Sequence, residues 1–215
     1  MILKPENREE WLKLRLNGIG GSDAGTVIGV NKYKTNVQLW EEKTGITVPE
    51  DISDKPAVNF GKHAEPHLRE LFRLDYQKEY DLDYHEFYMY VNDSYPFIFA
   101  TLDGELTDKG GKKGILEIKT VTIQNAMQWA EWEDKIPDTY YAQILHQLAA
   151  TGWEFAILRA YIRYYKNGVL KVTMRKYTIE RNDVQADIDY LIQRESAFWK
   201  DVTRKTRPAL ILLEI

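Results

Sequence analysis

The sequence predicts an α+β fold, a mixed β-sheet core flanked by helices. Helical apolar spacing dominates residues up to about 80, short apolar strands with turn chemistry follow over residues 83–120, and a hairpin and a closing helix end the chain. No linker or repeat divides the sequence. One domain over residues 1–215 is therefore expected, with a helical part over about 1–80 and a C-terminal helix plus tail over about 181–215.

"ENREEWLKLRLNG" reads as the first helix, with Trp11, Leu14 and Leu16 as apolar positions and Gly18 as its stop. In "GGSDAGTVIGV" two flexible glycines precede Ser22-Asp23, a helix-start pair. "NVQLWEEKTG" is a short helix ending at Gly45, and residues 46–57 are polar loop. "AVNFGKHAEPHLRELFRLDYQKEY" is a longer helix with Leu68, Leu71, Phe72 and Tyr76 on one stripe; Pro66 either starts it or kinks it.

Strands are expected at "DYHEFYMYV", "PFIFATLDGEL" and "GILEIKT", with turns at Asp103-Gly104 and over residues 109–114. Helices follow at "TIQNAMQWAEWED" and "TYYAQILHQLAATG". The strands "FAILRAYIRYY" and "VLKVTMRKYTI" are joined by Lys166-Asn167-Gly168, a hairpin signal. A last helix spans about Arg181 to Val202, with Val184, Ile188, Leu191, Phe198 and Val202 at heptad-like spacing. The tail "ALILLEI", after the basic "RKTRP", is either packed on its own domain or a contact for a subunit or partner.

The chain has 215 residues, 44% of them hydrophobic, and no cysteine, which excludes disulfides, zinc–thiolate sites and Cys-ligated iron–sulfur clusters and fits a reducing cytoplasm. No apolar run reaches the length of a membrane span, and "MILKPENREEWLKLR" lacks a secretory pattern. A net charge of −4 argues against a wholly basic nucleic-acid binder but allows a local basic groove.

The chemistry concentrates in "ATLDGELTDKGGKKGILEIKT". Alternation along a strand puts Glu117 and Lys119 on one face and Leu116, Ile118 and Thr120 on the other. An antiparallel neighbour would bring Asp103 close to Glu117. Two carboxylates, with the Ile118 carbonyl completing the shell, suit Mg²⁺ or Mn²⁺. Lys119 beside them orients or deprotonates a water and counters phosphate charge. The alternative is a cross-strand ion pair, with Asp-Gly simply a turn. Against it stand Phe97, Ile98, Phe99, Leu102, Ile115, Leu116 and Ile118, the apolar company of buried strands in which unpaired charge is costly.

Five motifs in order carry a resemblance over about residues 8–165: "WLKLRLNGIGGSDAGTVIGVNKYKTNVQLWEEKTG", "FGKHAEPHLRELF", "ATLDGEL", "ILEIKT" and "YYAQILHQLAATG". Together they resemble the YqaJ-type viral recombinases, the lambda exonuclease-like phage nucleases of the restriction-endonuclease-like D-x(n)-E-x-K superfamily. The resemblance implies a processive 5′→3′ exonuclease on double-stranded DNA that uses Mg²⁺, with Mn²⁺ as a substitute and two ions, and leaves a 3′ overhang. It further implies a single-strand annealing protein as partner, a ring-shaped homotrimer, and a phage or prophage product in the bacterial host cytoplasm.

By the same resemblance Asp103 and Glu117 match the metal-binding acids, Lys119 the catalytic lysine, Glu65 a helical acid assisting the metal, and Gln143 a glutamine reaching the active centre. Arg15, Ser22 and Thr101 fall where similar enzymes hold the 5′-phosphate, and the helix start after Gly20-Gly21 suits an anion. Threonine at 101 replaces the serine of similar enzymes and keeps the hydroxyl, and "TLDG" lacks the proline of "SPDG". Read alone, Glu65 could cap a helix begun by Pro66, Gln143 could be an ordinary polar helix residue, Ser22 an N-cap, and Arg15 a solvated residue. His63, His67 and His146 read as structural or surface groups, since Mg²⁺ prefers oxygen. A related endonuclease, structure-specific or RecB-like, and a catalytically inactive DNA-end-binding module are the alternatives; intact Asp103, Glu117 and Lys119 argue against the latter.

Overall fold

The computed structural model describes residues 1–133 and 135–212. In chain order the elements are β1 (Ile2–Leu3), α1 (Arg8–Arg15), α2 (Gly21–Val27), α3 (Asn36–Lys43), α4 (Pro56–Tyr76), β2 (Tyr80–Asp83), β3 (Met89–Val91), β4 (Phe99–Ala100), β5 (Gly104–Asp108), β6 (Lys113–Ile123), α5 (Ala126–Ala130), α6 (Asp138–Thr151), β7 (Phe155–Lys166), β8 (Val169–Glu180) and α7 (Gln185–Arg204), the last entered through a 3₁₀ turn at Arg181–Val184. The main sheet has the order β2-β5-β6-β7-β8, and a smaller one pairs β1-β3-β4. All neighbours are antiparallel except β6 and β7, which run parallel through the crossover that carries α6.

Alternation divides the central strands between two cores. Ile115 and Ile123 of β6, with Ala156, Leu158, Ala160 and Ile162 of β7, pack against Ile144, Leu145 and Leu148 of α6. Leu116 and Ile118, with Phe155 and Ile157, pack on the other face against Leu68 and Phe72 of α4. Burying one such side chain contributes about 1.5–3 kcal/mol, which fixes the register, because a slip of one residue would exchange the faces. The expected hairpin is closed by Asn167 and Gly168, with φ of 53° and 73°, the left-handed pair that a two-residue turn of this twist requires.

Several expectations shift. Pro66 does not start the helix: α4 begins at Pro56, with proline in its first turn, and runs through Pro66 to Tyr76, which leaves the reading of Pro66 as an interior residue. Glu65 is therefore mid-helix and caps nothing. Leu71 leaves the predicted stripe and is exposed, while Leu68 and Phe72 are buried. Ser22 is not the N-cap of α2; Gly20 is, with its N–H donating to the Asp23 carboxylate. "PFIFATLDGEL" divides into β4 and β5, and Asp103 occupies the bend between them. The glycine after it starts β5 rather than a hairpin, and a Cβ there would lie 2.6 Å from the Leu82 Cδ1. β6 runs on to Ile123, which shortens the helix expected over 122–134 to α5. The last residue of that prediction, Asp134, and the tail residues Leu213–Ile215 lie outside the described residues. The described tail packs on its own chain, where Ala209 accepts from the Asn36 amide and Ile211 donates to it.

Candidate active site

β5 begins at Gly104, opposite Leu116, and beyond that pair β6 continues with no strand partner on that edge among the described residues. Ile118 donates its N–H there to Asp103 Oδ2 at 2.7 Å, and its carbonyl lies on the same strand edge. Glu117, only 2% exposed, faces α6. Its Oε1 accepts from Gln143 Nε2 at 2.7 Å and pairs with Lys119 Nζ at 2.5 Å, while its Oε2 accepts from Gln147 Nε2 at 2.5 Å. Glu65 pairs with Arg69 one turn along α4, and Arg69 Nε donates to the Asp103 carbonyl at 2.5 Å. Lys119 also lies 5.2 Å over the Tyr140 ring.

Three carboxylates thus face two cations, and the imbalance appears in their acidity. Burial pushes Asp103 well above the usual aspartate range, and Glu117 and Glu65 push it the same way. Glu65 is raised by burial as well, with Arg69 opposing and Glu117 reinforcing the rise. For Lys119 burial works downward, but Glu117 and Asp103 outweigh it and hold the ammonium above its ordinary value. Among the described residues no three such side chains already form a closed cage. An open, all-oxygen set with excess negative charge is what a hard divalent cation takes, since Mg²⁺ keeps several waters and needs only one or two carboxylates. The donor set fits such an ion.

A second cluster adjoins the first. Arg15 Nη2 donates to Ser22 Oγ at 2.9 Å, and its guanidinium lies 4.6 Å over the Trp11 ring. Trp11 Nε1 donates to Thr101 Oγ1 at 2.9 Å, two residues before Asp103. α2 meets α6 so closely that a Cβ on Gly21 would stand 3.2 Å from the Gln143 Cγ. The structure therefore brings Arg15, Ser22 and Thr101 together and sets them beside Asp103, Glu117, Lys119 and Gln143. With α2 only seven residues long, this cluster stands on side chains and not on a helix end.

Sequence reasoning passed over Arg69, Gln147 and Trp11. The first two were legible as i+4 neighbours of Glu65 and Gln143; the Trp11–Thr101 contact joins distant segments and left no local signal. His63 and His67 are exposed on α4, His85 lies against Glu105 and His146 is buried against Glu195, so among the described residues no histidine is seen to pair with Asp103, Glu117 or Glu65.

The architecture is restriction-endonuclease-like: a mixed sheet between helices, superposing on an alkaline exonuclease (LHK-Exo) from Laribacter hongkongensis with a TM-score of 0.69 at 21% identity, over 92% of this chain and 94% of that one. The YqaJ-like viral recombinase domain matches residues 10–154, and the chain belongs to that family. It is 34% identical over 195 residues to the uncharacterized protein YqaJ of Bacillus subtilis (strain 168), covering 91% of this chain and 56% of that protein, so it spans little more than half the relative's length. A phage related exonuclease from Haemophilus somnus 129PT also superposes, with a TM-score of 0.58 at 12% identity over 87% and 96% of the two chains. No helix among the described residues is long and apolar enough to cross a membrane.

Proposed function

We propose that this chain is a divalent-cation-dependent deoxyribonuclease that digests linear duplex DNA from a phosphorylated 5′ end and leaves a 3′ single-stranded overhang. The observation that carries the reading is the crowding of three acids, Asp103, Glu117 and Glu65, beside the Lys119 ammonium at the open edge of β6, which raises Asp103 and Glu65. Asp103, Glu117 and the Ile118 carbonyl would hold Mg²⁺, or Mn²⁺ in its place, with Glu65 in support. When bound, the cation supplies Lewis-acid polarisation of the phosphodiester and eases loss of a proton from water.

The chain's own groups do the rest. Gln143 and Gln147 each hold one oxygen of Glu117, so the carboxylate cannot rotate away. Lys119, kept as an ammonium, serves as a donor that orients the nucleophile and offsets phosphate charge rather than as a base. Direction comes from Arg15, Ser22 and Thr101. The two hydroxyl oxygens already accept N–H bonds from Arg15 and Trp11, which leaves their own protons to donate. Donors without a competing acceptor suit a phosphate, which only accepts.

Membership of the viral recombinase family and likeness in fold to exonucleases support the reading. So does the crystal structure of LHK-Exo with dAMP, a deoxynucleoside monophosphate of the class such digestion releases; it superposes with a TM-score of 0.62 at 19% identity. On the same reading the overhang passes to a single-strand annealing protein, and the enzyme works as a ring-shaped homotrimer in a bacterial host's cytoplasm. The test is a linear duplex with one 5′-phosphate, labelled separately at each end and incubated with Mg²⁺ or EDTA, with Lys119→Ala as control. Stepwise Mg²⁺-dependent loss from the phosphorylated end, absent in the variant, is expected. Internal cuts would indicate an endonuclease, and binding without cleavage an inactive end-binding module.

A further inference from the structure

Beside Arg15 and Ser22 lies a nearly buried ion pair. Lys43, on the last turn of α3, reaches Asp23 Oδ2 at 2.9 Å, with the lysine side chain 6% and the aspartate side chain 14% exposed. The same ammonium donates to the backbone carbonyl of Arg15 at 2.8 Å. Asp23 follows Ser22 in the chain, and its carboxylate also accepts the Gly20 N–H at 3.1 Å, fixing the start of α2.

These contacts close a circuit. Arg15 holds Ser22 by its side chain, Ser22 leads to Asp23, Asp23 holds Lys43, and Lys43 returns to the carbonyl of Arg15. α3 is in turn tied to α7, where Trp40 donates to the Asp201 carbonyl at 3.2 Å. Burial works against an ionised Asp23, yet Lys43 and Arg15 outweigh it and keep its carboxyl below the usual range. A stitch serving only to join α2 and α3 would need the Lys43–Asp23 contact alone. The second bond, to the Arg15 carbonyl, sets the guanidinium's own backbone against Ser22.

We infer that Lys43 and Asp23 are positioning residues that determine selectivity for phosphorylated 5′ ends by fixing the spacing between Arg15 and Ser22. The inference rests on the assignment of Arg15, Ser22 and Thr101 to the 5′-phosphate. Neither residue touches the substrate. Their loss therefore lowers the advantage of a phosphate end and leaves the slower digestion of hydroxyl ends in place.

The experiment compares wild type, Lys43→Met and the double variant Lys43→Met/Asp23→Asn on duplexes ending in 5′-phosphate or 5′-hydroxyl. The double variant leaves no unpaired buried charge, so it is expected to keep the fold better than the single one, and thermal midpoints check this. The ratio of kcat/KM between the two ends is expected to fall by about tenfold or more in the folded variants, since small misplacements of positioning groups carry such factors. Binding of the phosphorylated duplex in EDTA should weaken in parallel, while binding of the hydroxyl duplex stays within about twofold. A merely structural role would lower both ends together and leave the ratio unchanged, which overturns the inference. Wild type without any preference overturns the phosphate assignment itself; preference present in wild type and kept in the double variant overturns this inference alone.

Discussion

Glu117 and Glu195 are glutamates buried against neighbouring faces of α6, with 2% and 0% exposure, and the protein treats them in opposite ways. Glu195 on α7 meets His146 Nδ1 at 2.7 Å, while His146 Nε2 lies 2.8 Å from the Phe99 carbonyl. A carbonyl only accepts, so Nε2 carries a proton, and Nδ1 shares its proton with Glu195. One acid meets one base and the charge closes. Around Glu117 two further acids crowd in, and the two nearby cations do not balance them. A structural buried carboxylate is neutralised by its own chain; a carboxylate left in surplus points to something that binds.

Asp103 is where substitution has the largest expected effect. Asp103→Asn should cut DNA cleavage on the order of a thousandfold, the scale of losing a key electrostatic group. In EDTA at neutral pH it should raise the thermal midpoint, because it removes an acid whose ionisation burial, Glu117 and Glu65 oppose in the folded chain. A lower midpoint would mean the acids are not in excess. Glu195→Ala should do the reverse. Stability falls by about 3–5 kcal/mol, as for other broken buried pairs, read by chemical denaturation. Such a protein, assayed well below its midpoint, should still cleave.

The pH dependence sharpens the contrast. Asp103 is raised in the folded state, so in EDTA the folded chain keeps a proton that the unfolded chain releases. Stability therefore declines as pH rises from the ordinary 3.8 through the displaced value, and Mg²⁺ should abolish the decline. For His146 burial works downward, but Glu195 and Phe99 outweigh it and the folded pKa is raised above 6.5. Its contribution is whole below 6.5 and is lost as pH rises through the folded value. Glu195→Gln should remove this second window and leave the first. Denaturation profiles in which Mg²⁺ altered both windows would erase the distinction.

The smallest effect belongs to Trp11→Phe, which keeps the ring under Arg15 and deletes one hydrogen bond to Thr101. Preference for phosphorylated ends should drop about fivefold, the factor for roughly 1 kcal/mol. An unchanged ratio would show that Thr101 needs no orienting partner.

What the sequence disclosed follows the range of its signals. Alternation placed Glu117 and Lys119 on one face of β6, and Asn167-Gly168 marked the β7–β8 hairpin, because both are set by neighbours. Pro66 left two readings open, since a proline at a helix start and one inside a helix look alike without the packing of Leu68 and Phe72, and it lies inside α4. Glu195 stood where the heptad of α7 called for an apolar residue, one turn after Leu191 and before Phe198. That polar intrusion was a readable hint, but its partner His146 lies 49 residues away, and no local pattern joins them.

The parallel pairing of β6 with β7 has a kinetic side. The antiparallel pairs β5–β6 and β7–β8 can zip from a short turn, whereas this pair must wait for the crossover between Ile123 and Phe155 to close, a non-local step of the kind that slows folding. On the ribosome, Asp103 and Glu117 emerge well before the helix and strand that bury them. Until those segments dock, the two acids are solvated like any others. A truncated or half-made chain therefore holds no crowded carboxylates, and on the proposed function its cation site would form only with the finished sheet.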